Sequence, residues 1–433
     1  MQSSRAKIGF AIGLAVIAIL MGRRVLQLFE MHPQVVISSG ITDFPPSPAV
    51  NFKQERIGPK GDQPRITNVQ IVDLDADQRN EILVCDGAQN AVFLYRQNAA
   101  GTWEEMLVAN GLRVPAHATP ADVDADGDQD IVVAVLGDSL PSDELVGQVV
   151  LLEKTESGFQ KHILLDDVRR VADVQAGDFD GDGDVDLAVA VFGYARGEVL
   201  WLENRGQHQF RDHLLLSRPG VIHVPVADYD LDGDLDIATV VSQDEEEVWG
   251  LENDGQGAFQ ARRLFFTHNF DAGSGGLVKC DLDQDGDEDF LLPWGDNLEY
   301  GHSWPQPYHG CLWLRNDGDW QFNVERIGTF GGAYAAAPGD LDADGDLDVV
   351  LVSMSNDWSD PTHESIVWLE NDGQQSFQTW EIDTSPVELI TVACGDLDAD
   401  GRDDVVAGSL HLPASSVKRV QRVTSWLTKG ISP

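Results

Sequence analysis

The sequence is poor in positive charge: 29 Lys and Arg stand against 73 Asp and Glu, a formal net charge of −44 over 433 residues. Nucleic acid is gripped by clustered basic side chains, so it is not expected as a partner. Cysteine is scarce as well. Cys85, Cys280, Cys311 and Cys394 are too few and too scattered for a disulfide scaffold, although Cys280 and Cys311 share one repeat and can pair or stay reduced. No CxxC or CxxCH occurs, which argues against a thiolate zinc site and attached haem. A nucleophile elbow and a phosphate-binding glycine loop are also missing. Hydrophobic residues make up 42% of the chain, enough for a sizeable core and too many for a disordered acidic tail.

Long apolar runs are rare. The longest uncharged one, Ile8–Gly22, has Arg5 and Lys7 before it and Arg23 and Arg24 after it. It is short for a bilayer core of ~30 Å, but flanking arginines and Val25–Phe29 can extend it. No small-x-small cleavage site follows in Met21–Gln27, so residues 1–30 read as an uncleaved transmembrane signal anchor, with a cleaved signal peptide as the alternative. Either reading puts the rest outside the cytoplasm, periplasmic, surface-bound or secreted. Residues 31–50, with Pro33, Pro45, Pro46 and Pro48, read as a stiff spacer.

What the chain does have is repetition. A nine-residue acidic segment starts at Asp73, Asp122, Asp178, Asp228, Asp281, Asp340 and Asp396, and each copy runs into a short β-branched stretch such as Ile131–Val135. A leucine recurs in the next strand at Leu94, Leu152, Leu202, Leu251, Leu314, Leu369 and Leu427, preceded in four units by Trp201, Trp313, Trp368 and Trp426. Asn-Asp-Gly turns follow at Asn253–Gly255, Asn316–Gly318 and Asn371–Gly373. An aromatic then opens a further strand at Phe210, Phe259, Phe322 and Phe377. Four strands per unit, seven times over, predict an all-β fold, a seven-bladed β-propeller of four-stranded blades over residues 51–430, preceded by a single N-terminal helix. The last unit lacks its aromatic strand, and a spare copy, Phe52–Ile57, lies before the first acidic loop. That N-terminal strand is expected to complete blade seven and close the ring.

The acidic segments carry the chemistry. Carboxylates at positions one, three and five, a glycine at six, a residue offering its carbonyl at seven and a carboxylate at nine build an oxygen cage for a hard cation. The expected ligands are Asp122, Asp124, Asp126, Asp128 and Asp130; Asp178, Asp180, Asp182, Asp184 and Asp186; Asp228, Asp230, Asp232, Asp234 and Asp236. They continue as Asp281, Asp283, Asp285, Asp287 and Asp289; Asp340, Asp342, Asp344, Asp346 and Asp348; and Asp396, Asp398, Asp400, Arg402 and Asp404. Arg402 stands where only a carbonyl is required. Calcium is favoured over magnesium by ligand number, and over zinc by the all-oxygen set, so about six Ca2+ are expected. A plain solvated acidic turn sits poorly with six recurrences. Loop one has Gln78 for the glycine, Arg79 beside it and Glu81 at position nine, and is expected to bind weakly or not at all. Thirty-five of the 73 acids lie in the seven loops, so most of the excess charge belongs to them.

The DxDxDGxxD loop at this spacing, followed by an apolar strand and WLEN(D)G, resembles the FG-GAP/VCBS repeat, the calcium-binding blade of integrin α-chain propellers and of many secreted or anchored bacterial proteins. The resemblance covers about residues 51–430 and implies the fold and calcium, not an activity. The family includes adhesion heads, carbohydrate-binding modules and some polysaccharide lyases. The literal FG-GAP string is absent; Phe192-Gly193 is its nearest approach, which sets aside integrin-specific carry-over.

Alternation of strands puts the acidic loops and the Asn-Asp-Gly turns on one face. Loops joining strands two and three, and blade to blade, lie on the other. There the blade-five insert carries Trp294, Tyr300, His302, Trp304, Tyr308 and His309, blade six adds Trp358 and His363, and blade three adds Tyr194 and Arg196. Aromatics stack on sugars or peptides, and His and Arg engage carboxylates, so these form a candidate ligand face; ordinary loop packing is the alternative. Arg169, Arg170 and His268 belong near the same face, and His117 and His223 read as channel-lining spacers. Function is expected to be protein or glycan binding at an extracytoplasmic surface, with a polysaccharide lyase using a Tyr or His base as the alternative.

Overall fold

The computed structural model describes residues 43–61, 63–98, 100–140, 142–243, 245–269, 272–296, 305–411 and 417–430. The expected anchor and most of the spacer lie outside these residues, as do Tyr300, His302 and Trp304. Among the described residues no helix is long and apolar enough to cross a membrane.

Seven antiparallel sheets account for the regular structure, and every one follows the order of the sequence except the last. Blade one runs Ile66–Val72, Glu81–Asp86, Ala91–Gln97 and Trp103–Asn110. Blade seven runs Leu389–Gly395, Asp404–Ser409 and Val423–Gly430, and its fourth strand is Val50–Ile57 from the other end of the chain. That strand pairs antiparallel with Val423–Gly430 from Val50↔Gly430 to Ile57↔Val423. Ring closure by the spare N-terminal strand is therefore observed.

Burial explains the composition of each strand. The second strands, such as Asp130–Val135 and Asp348–Ser353, are buried along their whole length, which is why they read as unbroken β-branched runs. The fourth strand Phe322–Thr329, by contrast, has no buried residue and mixes polar with apolar side chains. Alternate residues of the inner strands face opposite neighbours. One apolar cluster thus fills each junction: for example Val132, Val149, Leu187 and Leu200 between blades two and three, and Ile66, Ile82, Val406 and Val423 between blades seven and one.

Two details differ from the sequence expectation. In blades two to six the residue after loop position nine pairs with the counted leucine, as in Ile131↔Leu152 and Val349↔Leu369. In blade one it pairs with Tyr95, and in blade seven with Trp426, one residue out of step in each. A one-residue slip reverses the side chains. The Trp201 and Trp313 indoles therefore bond Asp186 and Asp289 of their own blades, whereas Trp426 bonds Asp383 of blade six. The first strand of blade four is also broken, into Val221–His223 and Val226–Ala227. Pro225 has no N–H for the ladder, and the Val224 N–H is taken by Asp173 of blade three at 3.0 Å.

Candidate metal loops and recognition face

Each acidic loop is built by its own first and last carboxylates. Asp122 accepts the N–H groups of Asp126 at 3.1 Å and Gly127 at 3.0 Å, and Asp228, Asp281, Asp340 and Asp396 repeat the pattern. The fourth residue is left-handed in every loop, from Ala76 to Ala399, a feature the sequence did not announce because six of the seven are not glycine. At position six, Gly127 has φ +97°, and a Cβ there would meet open space, so backbone freedom alone selects glycine. The ninth carboxylates are buried. Asp289 accepts N–H groups from Leu282 at 3.1 Å and Asn316 at 2.7 Å, tying the loop to the third strand. Burial pushes Asp130 and Asp186 up to about 6, Asp236, Asp289 and Asp404 up to about 7, and Asp348 up to about 8.

Positions one, three and nine converge. Ligand atoms of Asp122, Asp124 and Asp130, of Asp178, Asp180 and Asp186, and of Asp228, Asp230 and Asp236 lie within 4.8 Å of one another. The fifth carboxylates turn instead to the seventh N–H of their own loop, as Asp232 does to Asp234 at 3.0 Å. Neighbouring blades aim some of the third carboxylates. Trp320, in the blade-five turn, donates to Asp230 Oδ2 at 3.0 Å, and Gln375, in the blade-six turn, donates to Asp283 Oδ2 at 3.2 Å. The second oxygens, Asp230 Oδ1 and Asp283 Oδ1, are shielded from solvent and have no donor. A buried carboxylate oxygen without a donor is costly, and a hard cation is what an all-oxygen cage accommodates. These residues fit Ca2+. Neither Trp320 nor Gln375 was singled out in the sequence, although both occupy the place six residues after the recurrent leucine.

Loops one and seven differ. Arg96 Nη2 stands 3.1 Å from Asp75 and its Nε 3.3 Å from Glu81, while Arg79 pairs with Asp77 at 2.5 Å. In loop seven the Lys429 ammonium contacts Asp398 and lies 2.6 Å from Asp400. Two expected ligands, at positions three and five, are thus already paired with the chain's own cation. The Arg402 side chain leaves its loop and bonds the Asp342 carbonyl in loop six.

On the opposite face the predicted residues scatter. Trp294 is buried against Phe265, with ring centroids 5.6 Å apart. His309 is fully buried, its Nδ1 accepting the Gly332 N–H at 2.9 Å, and burial pushes it down to about 3. Both serve as packing groups in blade five, the alternative left open above; Tyr308 is half-buried beside His309. Trp358 bonds the Met354 carbonyl and His363 lies 3.8 Å from Asp360, both half-buried. Tyr194 and Arg196 are exposed, Tyr194 at 53%. The adjoining blade-two loop exposes Leu140 and Leu145, and Asp143 of that loop accepts the Ala195 N–H at 3.2 Å. Arg170 is buried with its Nε on the Asp138 carbonyl, and Arg169 pairs with Glu198 at 3.3 Å. His117 and His223 flank buried Asp173, at 3.1 and 3.5 Å. Burial opposes ionisation of Asp173, but the two imidazoles and the Val224 N–H outweigh it and hold the carboxyl below its usual range. Cys280 and Cys311 are free and buried, which raises both thiols far above their ordinary range.

A closed ring of seven four-stranded blades with acidic loops on one face defines a β-propeller. The FG-GAP-like repeat model matches residues 73–133 and 178–239, so the chain carries FG-GAP-like repeats on a seven-bladed ring. No curated protein matches it in sequence. Among solved structures it is similar to virginiamycin B lyase from Staphylococcus aureus, at 9% identity and a TM-score of 0.52, over 87% of this chain and 99% of that one. It is also similar to BBS1N in complex with ARL6DN, at 8% identity and 0.49, over 88% and 97%. The Dos1 propeller matches at 8% identity and 0.43, over 66% of this chain and 65% of that chain's length. Identities this low speak for the fold alone.

Proposed function

We propose that the chain is an extracytoplasmic, calcium-holding binding module, anchored through its N-terminal apolar segment, that presents a protein- or glycan-binding surface opposite its acidic loops. The observation that carries the calcium half is Asp230 Oδ1, a buried oxygen without a donor in a cage of converging carboxylates, with Asp283 Oδ1 likewise without a donor. Six loops carry the motif, but Lys429 already occupies Asp398 and Asp400 of loop seven, so this reading takes five ions, in loops two to six. The recognition surface is the joined pair of loops bearing Leu140, Leu145, Tyr194 and Arg196, with exposed apolar and aromatic area next to a free guanidinium. Binding is favoured over the lyase alternative because Arg169 and Arg170, the cations a uronate would need, are engaged by the protein itself.

A glycan array probed with the wild-type chain and with Tyr194→Ala, each with calcium and with chelator, tests the surface. The expected result is a calcium-dependent signal that Tyr194→Ala abolishes while the melting temperature stays unchanged. Glycan binding indifferent to both changes would overturn this assignment of the surface.

A further inference from the structure

The glutamate after the recurrent leucine has a standing partner. Glu153 in blade two accepts from His162 Nε2 on the fourth strand at 2.6 Å, and Glu203 in blade three accepts from His213 Nε2 at 2.8 Å. Glu370 in blade six accepts from Trp380 at 2.5 Å, so the pair by itself is a cross-strand fastening. Among the described residues, only at the junction of blades two and three does a second imidazole join it. His208, from the blade-three turn, brings its Nε2 to 3.9 Å from the same Glu153 oxygen and its ring to 4.2 Å from that of His162. Ligand atoms of the three residues lie within 4.8 Å of one another.

The next junction supplies an internal control. The residue matching His208 in the blade-four turn is Gly257, and Arg205 neutralises Glu203 at 2.5 Å. Both turn positions are left-handed, φ +57° at His208 and +77° at Gly257. Trp320 and Gln375 hold the same place in blades five and six with φ +59° and +63°, so this left-handed position accepts a side chain and the imidazole is specific to blade three.

We propose that Glu153, His162 and His208 form a binding site for a borderline divalent transition cation, with zinc as its simplest occupant, separate from the acidic loops. Two imidazoles and one carboxylate are ligands that zinc takes and calcium does not prefer. The side chains are 21%, 23% and 26% exposed in the order Glu153, His162, His208. An ion can enter from solvent, and a water completes the tetrahedron. The ion would join the outer strands of blade two to the turn of blade three.

The test is calorimetric titration of the full-length chain with Zn2+ in calcium-saturated buffer near pH 7.5, repeated with His208→Gly and His162→Ala. One zinc per wild-type chain is expected, with affinity reduced more than about tenfold in either variant. His208→Gly restores the residue found in blade four, so its melting temperature in the absence of zinc should not fall. Co2+ should give a visible absorption band in the wild type that both variants lose. No zinc uptake in excess calcium, or uptake equal in wild type and variants, would overturn the proposal.

Discussion

Loops one and seven meet at the junction where the ring is closed, and loops two to six do not; the two groups solve the same electrostatic problem differently. Four to six acids in nine residues repel one another unless a cation sits among them. Near the closure the chain provides it, through Arg96 and Arg79 in loop one and Lys429 in loop seven. Elsewhere, among the described residues, no basic side chain pairs with loop positions one, three or nine. On the calcium reading proposed above this is a division of labour: the closure has cations of its own, and the middle blades depend on the ion.

Chelation should produce the largest effect. At free calcium ten times a dissociation constant, each site contributes about 1.4 kcal/mol, so five independent sites give about 7 kcal/mol. That approaches the whole stability of an ordinary domain, about 5–15 kcal/mol. Calorimetry with EDTA should show a steep fall in melting temperature, and hydrogen exchange should localise the loosening to blades two to six. Uniform exchange around the ring would break the comparison.

The chelator effect should also depend on pH. Without a cation, burial raises Asp130 and Asp186 to about 6 and Asp348 to about 8, above the unfolded value near 4. A raised carboxyl pKa means the folded state holds the extra proton. That stability is fully present below about pH 4 and is lost as pH rises through about 6 to 8. Calcium binding strengthens over the same range because its ligands must be ionised. The gap between melting temperatures in calcium and in EDTA should therefore widen from pH 5 to pH 8, and a gap that narrows would count against the account.

Single substitutions sharpen the contrast. Asp230→Ala should remove one site, about 1.4 kcal/mol under the same conditions, whereas Asp75→Ala should leave calcium stoichiometry unchanged. Smaller still, Trp320→Phe deletes the donor that aims Asp230 and should weaken loop four alone, read as one lower-affinity site in a titration.

Much of this was legible in the sequence because the repeat is strict where burial is strict. The ninth carboxylate, the unbroken apolar second strand and the spare Phe52–Ile57 each leave a local mark, and together they define the blades and the closure. The register of blades one and seven was not legible. A single-residue slip leaves Leu94 and Leu427 in view while Tyr95 and Trp426 take their pairing places. Contacts between residues far apart in the chain were hidden as well: within blade seven Lys429 and Asp398 are 31 residues apart, and between blades five and four Trp320 and Asp230 are 90 apart. The candidate ligand face was the least legible part. An aromatic such as Trp294 reads alike whether it faces solvent or Phe265.

The most direct test of the division between closure and middle blades is a calcium count by equilibrium dialysis on the wild-type chain and on Lys429→Ala. Five ions per wild-type chain and six in the variant are predicted, because removing the ammonium frees Asp398 and Asp400. Equal counts in the two proteins, or no calcium in either, would contradict it.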